Sequence, residues 1–284
     1  MQNYKKLNKV GQGTFGTVYE ALNLQTGQTC ALKCVKLDGK GVEINSYREI
    51  EMLSTLYHRN IIKLQRIIRS EQGLCIVMDY GGDDLAYQFD HQSLSLTESQ
   101  IRSLMKQLLQ GVAYLHQNQV IHRDLKLSNI LVDKTQTLRI CDFGLARHMN
   151  FTMTSGVVTL WYRAPEVLFG MNHYTSAIDM WSVGCIFAEL LNLGNPILPG
   201  NNPAHQLQLI CKLIGPPSSS IWPDFSRFAD KFRVPEHSYN TLNVHFSKYS
   251  RACIDFLNSL LVWDPSQRLT AAEALLSDYI IDSR

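Results

Sequence analysis

The sequence predicts an α+β protein with two lobes: a small lobe built on an antiparallel sheet with one main helix, and a larger lobe that is mostly helical. In the first 80 or so residues, short apolar runs interrupted by glycines are typical of strands. After residue 84, apolar side chains recur at helical spacing in one segment after another. With 284 residues, of which 45% are hydrophobic, the chain is long enough to bury a sizeable core.

The small lobe is predicted from several strand patterns and one helical pattern. Residues 7–22 contain three glycines and indicate two strands joined by a turn. Residues 29–37 alternate as a third strand does, and residues 74–78 form a short buried strand. Between them, residues 44–56 carry apolar side chains three positions apart, which favours a helix.

The larger lobe follows a short link near residues 79–83, so we expect residues 1–80 in the small lobe and residues 84–284 in the large one. Thr97 and Gln100 have the spacing of a capping box, and an amphipathic pattern of about five turns follows them. Further helical patterns lie at residues 178–191, 205–214, 253–261 and 271–276.

Charge and cysteine content exclude several classes of function. The 27 Lys and Arg residues against 25 Asp and Glu leave a formal charge of +2, which favours neither nucleic acid nor a membrane as a direct partner. The seven cysteines are odd in number and lack a Cys-x-x-Cys pair, so we expect reduced thiols and neither a disulfide framework nor a zinc site. The polar start is not a signal peptide, and no apolar run reaches the roughly 18 residues that span a bilayer. These features predict a soluble, intracellular protein.

Gly11, Gly13 and Gly16 have the spacing of a loop that approaches phosphates, and they lie between two predicted strands. The motif alone is weak, because dinucleotide-binding folds use the same spacing and a hairpin without any ligand would also show it. A dinucleotide fingerprint opens a helix, whereas residues 18–22 here predict a second strand. The pattern therefore favours a glycine-rich flap, residues 11–16, that covers the phosphates of a nucleotide.

Lys33 follows in an apolar strand, 22 residues after Gly11. A buried ammonium group is costly unless an anion pairs with it, and Glu49 on the predicted helix is the candidate partner. From this residue alone, a surface lysine on an edge strand is the simpler interpretation.

Four polar residues further along the chain suit phosphoryl transfer. Asp124 can accept the proton of a hydroxyl group, and Lys126 can neutralise charge on a transferring phosphoryl group. Asn129 and Asp142 offer hard oxygen ligands, which suit Mg²⁺ and do not suit zinc. Any one of them could belong to a chance loop motif, but their order and spacing, with Ala-Pro-Glu at 164–166, predict a phosphoryl-transfer site.

Together these segments resemble the signature set of eukaryotic protein kinases over essentially the whole chain. The resemblance implies the bilobal protein-kinase fold as one domain, residues 1–284, with ATP and Mg²⁺ as cofactors. It implies that Lys33 contacts the α and β phosphates of ATP and pairs with Glu49. It also implies that Asp124 orients and deprotonates the substrate hydroxyl, while Asn129 and Asp142 bind Mg²⁺.

The resemblance further implies a set of residues around ATP. Met78 matches the gatekeeper position of the pocket, and Asp84 would lie at its rim near the ribose. The backbone groups of Asp79 and Gly81 would meet adenine. The full set comprises Val10, Gly11, Gln12, Gly13, Thr14, Gly16, Val18, Ala31, Lys33, Met78, Asp79, Gly81, Asp84 and Leu131.

Residues 157–166, together with a lysine at position 126, are similar to serine/threonine kinases of the cyclin-dependent family. Residues 43–49 resemble the cyclin-contacting helix of that family and are closest to its PITSLRE and PISSLRE subgroup. The resemblance implies a cyclin partner and a role in cell-cycle or transcription regulation. Glu43 and Tyr47 depart from the subgroup where a cyclin would dock, which leaves open a related kinase that is active without a cyclin.

Regulation by phosphorylation is also implied by the resemblance. Thr154 aligns with the activating threonine, and Arg48, Arg123 and Arg147 would bind its phosphate. Three arginines with separate acidic partners are the alternative. Thr14 would be a site of inhibitory phosphorylation.

Val157, Val158 and Thr159 match the substrate pocket of this family, which implies protein substrates with Ser-Pro or Thr-Pro sites. A location in the nucleus, the cytoplasm or both follows from the resemblance alone. The alternative from another class is a pseudokinase that acts as a scaffold. It predicts the loss of a catalytic or metal-binding residue, and none of them is lost.

Overall fold

The computed structural model describes residues 2–13, 16–36, 44–70, 73–149, 159–228 and 239–281. The strands are β1 (Tyr4–Gly13), β2 (Gly16–Asn23), β3 (Thr29–Lys36), β4 (Leu64–Ser70), β5 (Gly73–Asp79), β6 (Asp83–Asp84), β7 (Val120–Ile121), β8 (Ile130–Val132), β9 (Leu138–Ile140) and β10 (Arg147–His148). The helices are α1 (Ile44–Thr55), α2 (Leu85–Gln92), α3 (Glu98–Gln117), α4 (Pro165–Leu168), α5 (Ala177–Leu191), α6 (Pro203–Ile214), α7 (Leu242–His245), α8 (Arg251–Leu260), α9 (Ala271–Ala274) and α10 (Asp278–Ile281). Of the helices in these ranges, none is long and apolar enough to cross a bilayer.

The chain folds as two units. Unit 1 comprises Met1–Leu85 and Ser128–Ala146, and unit 2 comprises Ala86–Leu127 and Arg147–Arg284. The predicted α+β class is confirmed, because unit 1 contains the antiparallel sheet and unit 2 is mostly helical. Unit 1 differs from the predicted small lobe in including residues 128–146. These residues join it because β8 pairs with β6 and with β9, and β6 is too short to show a strand pattern in the sequence.

The main sheet of unit 1 is antiparallel, in the order β1-β2-β3-β5-β4. Successive side chains of a strand point to opposite faces. Cys30 and Leu32 of β3, both fully buried, belong to a core cluster on one face, so Ala31 and Lys33 point to the other. The register places Lys33 opposite Val18 of β2. The sheet thus separates a packed apolar face from the face that carries the lysine.

Several elements of the fold were not predicted, and two of them have seven or more residues. The first is β4, at the edge of the sheet, where Gln65, Arg66 and Ile67 are all exposed. The strand therefore lacks the alternation of buried and exposed residues that marks a strand in a sequence. The second is α2, in which Leu85 is the buried residue, so no apolar stripe appears.

A disulfide joins β3 and β5, between Cys34 and Cys75. The expectation that all cysteines are reduced is therefore wrong for this pair. The two cysteines are 41 residues apart in the sequence, and only the register of the two strands brings them opposite each other. The other cysteines in the described ranges do not form disulfides.

Unit 2 is organised around α3 and α5. At the start of α3, the Thr97 hydroxyl accepts from the Gln100 N–H and the Thr97 N–H donates to Oε1 of Gln100 at 2.8 Å, so the predicted capping box is present. The α5 helix is buried on every side, which is typical of a central core helix. Its Phe187 packs against Phe256 of α8 and Tyr279 of α10.

A fully buried arginine ties the C-terminal part of unit 2 to α4. The Arg268 guanidinium donates to both carboxylate oxygens of Glu166, at 2.9 and 3.2 Å. It also donates to the carbonyls of Ala177 at 2.6 Å and Val262 at 2.9 Å. These bonds compensate for the removal of both charges from water, and they connect segments from four parts of the unit.

We predict that Arg268→Ala lowers the free energy of unfolding by about 3–5 kcal/mol, because it leaves the buried Glu166 carboxylate without its cation. Urea unfolding of the full chain measures the change. The control is Arg251→Ala, which removes an exposed arginine paired with Asp255 and should leave the midpoint unchanged. Equal midpoints for wild type and Arg268→Ala would contradict the prediction.

Candidate active site

A buried ion pair lies at the centre of the predicted nucleotide site in unit 1. Lys33 Nζ is 2.6 Å from Oε2 of Glu49, and the two residues are only 8% and 2% exposed. Glu49 lies on the buried face of α1, so the pair links β3 to that helix. Lys33 Nζ is also 3.5 Å from Oδ1 of Asp142, which follows β9. The structure thus brings together three of the residues that the sequence singled out.

The charges of this group depend on one another. Burial lowers the pKa of Lys33, but attraction to Glu49 and Asp142 outweighs this effect and raises the pKa overall. Lys33 therefore carries its charge at neutral pH. Burial raises the pKa of Glu49, and attraction to Lys33 offsets only part of that shift.

Asp142 and Asn129 are placed by neighbouring segments of unit 1. The backbone of Asp142 is left-handed, with φ of 62°, and its side chain is 34% exposed. The backbone carbonyl of Asn129 accepts from the Cys141 N–H at 3.0 Å, which fixes Asn129 beside the strand that leads to Asp142. An amide oxygen and a carboxylate are hard ligands, and Mg²⁺ takes one or two such ligands together with phosphate oxygens. The donor set therefore fits a Mg²⁺–nucleotide.

The other residues predicted around ATP that the structure describes also belong to unit 1. Ala31 lies directly opposite Met78 in the sheet, which provides apolar surface. Gly81 packs so closely that a Cβ there would come within 2.6 Å of Leu131 Cδ1. In the glycine-rich flap, Gly16 has φ of 144°, and a Cβ would come within 2.6 Å of the Cys34 carbonyl oxygen. Glycine is therefore required at position 16, whereas a larger residue at position 81 would displace the Leu131 side chain.

Several predicted residues of this set are more peripheral or not fully described. Val10 is 44% exposed on β1. Asp79 donates its N–H to the Lys63 carbonyl at 3.0 Å, and Asp84 pairs with Leu131 through β6 and β8. The backbones of Gly11, Gln12 and Gly13 belong to β1, whereas Thr14 and the Gln12 side chain lie outside the described residues.

The predicted general base lies in unit 2, inside a small polar network. The Asp124 carboxylate accepts from Lys126 Nζ at 2.7 Å through one oxygen, and from the Thr159 hydroxyl at 3.2 Å through the other. Lys126 Nζ also donates to the Thr159 hydroxyl at 3.1 Å. Asp124 is 6% exposed. Thr159, assigned from sequence to a substrate pocket, is thus in direct contact with both catalytic candidates.

Asp179 of α5 holds the backbone that precedes this base. Its carboxylate accepts from the N–H groups of His122 and Arg123, both at 2.9 Å, and contacts Nε2 of His116 at 2.9 Å. Burial raises the pKa of Asp179, but these hydrogen bonds and the neighbouring histidines outweigh it, so its pKa is lowered. Arg123 has a left-handed backbone, with φ of 72°, and the two N–H bonds hold that conformation.

The three arginines predicted to bind a phosphate have different surroundings. In unit 1, Arg48 donates to the Gly144 carbonyl at 3.0 Å and to the side chain of Asn45 at 2.7 Å. In unit 2, the Arg123 guanidinium lies over the Tyr174 ring, 5.9 Å from its centroid. Burial raises the pKa of Tyr174, and Arg123 and Arg147 both act to lower it, so these two arginines lie near the same phenol.

Three predicted regulatory and specificity residues, Thr154, Val157 and Val158, lie outside the described residues.

Sequence reasoning missed the side chains that hold the segment after Thr159. The Tyr162 hydroxyl donates to Oε2 of Glu189 at 2.6 Å, and both residues are 6% exposed. Ser182 donates to the Tyr162 carbonyl at 2.9 Å. The pKa of Glu189 is raised to about 7. Burial is the main cause and Asp90 adds to it, while the hydrogen bond from Tyr162 partly offsets both. A carboxylate inside the apolar α5 segment was a signal that Glu189 has a buried polar partner, but it does not identify Tyr162 as that partner.

Comparison with known proteins places these residues in a family. The family model described as protein kinase domain matches residues 4–280. Cyclin-dependent kinase 10 of Mus musculus is 42% identical to the chain, over 98% of this chain and 80% of the relative. Cyclin-dependent kinase 10 of Homo sapiens is 41% identical over the same shares. Cyclin-dependent kinase C-1 of Oryza sativa subsp. japonica is 40% identical, over 97% of this chain and 58% of the relative.

We predict that Lys33→Met destabilises the protein most at high pH. The pKa of Glu49 is already raised in the fold, and without Lys33 it rises further. The cost of burying the ionised carboxylate is therefore full above that pKa and is relieved as the pH falls through it. The difference in unfolding free energy from wild type, about 3–5 kcal/mol at pH 8, should shrink at pH 5. In Lys33→Met/Glu49→Gln the pH dependence should disappear, and its persistence there would contradict this assignment.

A second pH dependence is predicted from Glu189. Its pKa in the fold is about 7, above the ordinary 4.5, so the stability that the protonated group contributes is complete below 4.5 and is lost as pH rises through 7. Relative to Glu189→Gln, wild type should lose up to about 3 kcal/mol of unfolding free energy between pH 5 and 8. Urea unfolding of both proteins across this range measures the difference, with exposed Glu51→Gln as the control. Parallel curves for wild type and Glu189→Gln would refute the assignment.

Proposed function

The chain belongs to the protein kinase family and, within it, to the cyclin-dependent serine/threonine kinases, and we propose that it transfers the γ-phosphate of ATP to Ser-Pro and Thr-Pro sites in proteins. We propose further that Mg²⁺ is the metal and that a cyclin and phosphorylation of Thr154 raise the activity. The single observation that carries the proposal is the contact of Lys33 with both Glu49 and Asp142. A kinase requires this lysine–glutamate pair and a metal-binding aspartate.

The residues of unit 1 would hold the phosphate donor. Lys33 keeps its charge and would bind the α and β phosphates, while Glu49 holds its ammonium group in place. Asn129 and Asp142 would hold Mg²⁺, which neutralises the phosphate oxygens when bound. Ala31 and Met78 would provide apolar surface for the adenine ring. The backbone of Gly81, which packs against Leu131, would meet the edge of the ring.

The residues of unit 2 would act on the acceptor. The Asp124 carboxylate would accept the proton of the substrate serine or threonine hydroxyl as that oxygen attacks the γ-phosphorus. Lys126 lies 2.7 Å from Asp124, where it would stabilise the negative charge of the transferring phosphoryl group. The Thr159 hydroxyl forms hydrogen bonds with both Lys126 and Asp124, which supports a role for Thr159 in placing the substrate hydroxyl.

Preference for proline after the target residue is proposed from the segment at 157–166. The resemblance of this segment to the cyclin-dependent kinases supports this preference. The hydrogen bonds that hold Tyr162, near the end of the segment, support it as well. Tyr162 is held there by Glu189 and Ser182, so the turn after Thr159 has a fixed conformation. A fixed turn suits recognition of a rigid residue such as proline.

Activation by a cyclin is proposed from α1. Ile44 and Tyr47 on this helix are 69% and 57% exposed, and the same helix carries Glu49. A partner docked on these side chains would act on the lysine–glutamate pair. One observation favours the second candidate, a kinase that is active without a cyclin, since α1 already places Glu49 within 2.6 Å of Lys33.

We predict phosphate transfer from ATP and Mg²⁺ to a Ser-Pro peptide and little to the matched Ser-Ala peptide. Asp124→Asn should lower the rate by about 10²–10⁴-fold, because it removes the proton acceptor. The control Asp255→Asn changes an exposed carboxylate on α8 and should retain the wild-type rate. Equal rates with both peptides would reject the proline preference.

The cyclin requirement is tested with the same assay. The chain alone is compared with complexes recovered from its own cells, in which co-purifying proteins are identified. Activity in the complexes alone would establish dependence on a partner. Equal activity of the isolated chain would reject the cyclin requirement and favour the second candidate. No transfer in either sample, with ATP still bound, would reject the kinase reaction.

A further inference from the structure

Cys34 of β3 and Cys75 of β5 lie directly opposite each other in the sheet of unit 1 and form a disulfide. Their Cα atoms are 4.3 Å apart, close to the spacing of opposed residues in antiparallel strands. Backbone pairing of the two strands continues without a bulge on both sides of the pair. The sheet therefore keeps the two sulfur atoms together whether or not they are bonded.

The pair lies on the opposite face of the sheet from the catalytic lysine. Cys34 packs against the core cluster that contains Leu32 and Val77, whereas Lys33 points to the other face and contacts Glu49. Forming or breaking the sulfur–sulfur bond therefore need not displace the lysine–glutamate pair.

We propose that Cys34 and Cys75 are a site of reversible oxidation, a covalent clip that peroxide-class oxidants close and thiol reductants open. When closed, the clip stabilises unit 1, and in both states the nucleotide-binding residues keep their positions.

The exposure of the two cysteines sets the order of the reaction. Cys34 is partly exposed and Cys75 is 8% exposed, so a peroxide reaches Cys34 first. The Cys34 thiolate attacks a peroxide oxygen and becomes a sulfenic acid, and one water is released after protonation. The Cys75 thiolate then attacks the Cys34 sulfur, the disulfide forms, and the sulfenic oxygen leaves as water. Two thiols thus lose two electrons and two protons, and hydrogen peroxide becomes two waters.

The reverse step needs a dithiol. One thiolate of the dithiol attacks the disulfide, its second sulfur completes the exchange, and the dithiol is oxidised while Cys34 and Cys75 regain their protons.

The remaining cysteines of the chain are poor competitors for the oxidant. Cys30, Cys185, Cys211 and Cys253 are buried, and Cys141 is partly buried. Burial raises the pKa of Cys30, Cys185, Cys211 and Cys253, to about 12 for Cys211 and Cys253. Because the thiolate is the reactive form, oxidation should be selective for the opposed pair.

The clip would act on stability because of the loop that it closes. Cys34 and Cys75 are 41 residues apart, and the loop contains α1 and β4. A cross-link over such a loop restricts the unfolded chain while the folded strands are already in register. We expect the oxidised protein to melt roughly 5–10 °C above the reduced protein.

The first experiment counts free thiols in the full wild-type chain. After treatment with hydrogen peroxide, the protein is denatured and labelled with N-ethylmaleimide, with and without prior reduction by dithiothreitol. We expect five labels without reduction and seven after it, with peptide masses placing the two protected sites at Cys34 and Cys75. Seven labels without reduction, or protection at other cysteines, would overturn the proposal.

The second experiment measures melting temperature with and without dithiothreitol. Wild type should show the shift, Cys34→Ser/Cys75→Ser should not, and the control Cys211→Ala, which changes a buried cysteine of α6, should retain it. A shift of the same size in the double variant would overturn the proposal. If the double variant fails to fold, Cys34→Ser alone and the thiol count on wild type decide the question.

A third measurement tests the separation of the clip from the nucleotide site. The Kd for ATP should be the same in oxidised and reduced wild type, because Lys33 lies on the other face. A Kd that depends on the redox state would overturn this part of the proposal.

Discussion

The buried pair of Lys33 and Glu49 is the interaction on which unit 1 depends. The ammonium group of a lysine that is only 8% exposed remains charged only beside carboxylates, and Glu49 and Asp142 supply them. The pair thereby joins a strand, a helix and the segment after β9, which are far apart in the sequence. Arg48 adds a further bond between α1 and the Gly144 carbonyl. The Lys33 ammonium group, which a phosphate ligand would contact, also holds these segments together.

Unit 2 depends in the same way on a buried carboxylate. Asp179 accepts the N–H groups of His122 and Arg123, so the backbone directly before Asp124 is held from the central helix. Left-handed backbone at a residue such as Arg123 costs of order 1–3 kcal/mol, and hydrogen bonds to a buried anion offset such a cost. Lys126 and Thr159 then occupy the two oxygens of Asp124. In both units, a buried charge positions a predicted catalytic residue and its neighbours.

The site could be predicted from the sequence wherever chemistry follows from residue type and local spacing. Lys33 was expected in an apolar strand and Asp124 in a polar motif, because each is recognisable beside its near neighbours. The contact of Tyr162 with Glu189 could not be derived this way, because it joins a turn to a helix 27 residues later. The same limit applies to the pairing of β8 with β6, which moves residues 128–146 into unit 1.

The sequence by itself determined the family, the α+β class and most of the longer helices and strands, because periodicity, capping residues and motif spacing are local properties of the chain. Only the tertiary structure decided that Cys34 faces Cys75 and that Thr159 forms a hydrogen bond with Asp124. It also decided that Glu189 is buried and accepts a hydrogen bond from Tyr162. Each of these contacts depends on the register or packing of segments distant in the sequence. The register of paired strands is set by which face of the sheet is buried, and it cannot be read from a local pattern of residues.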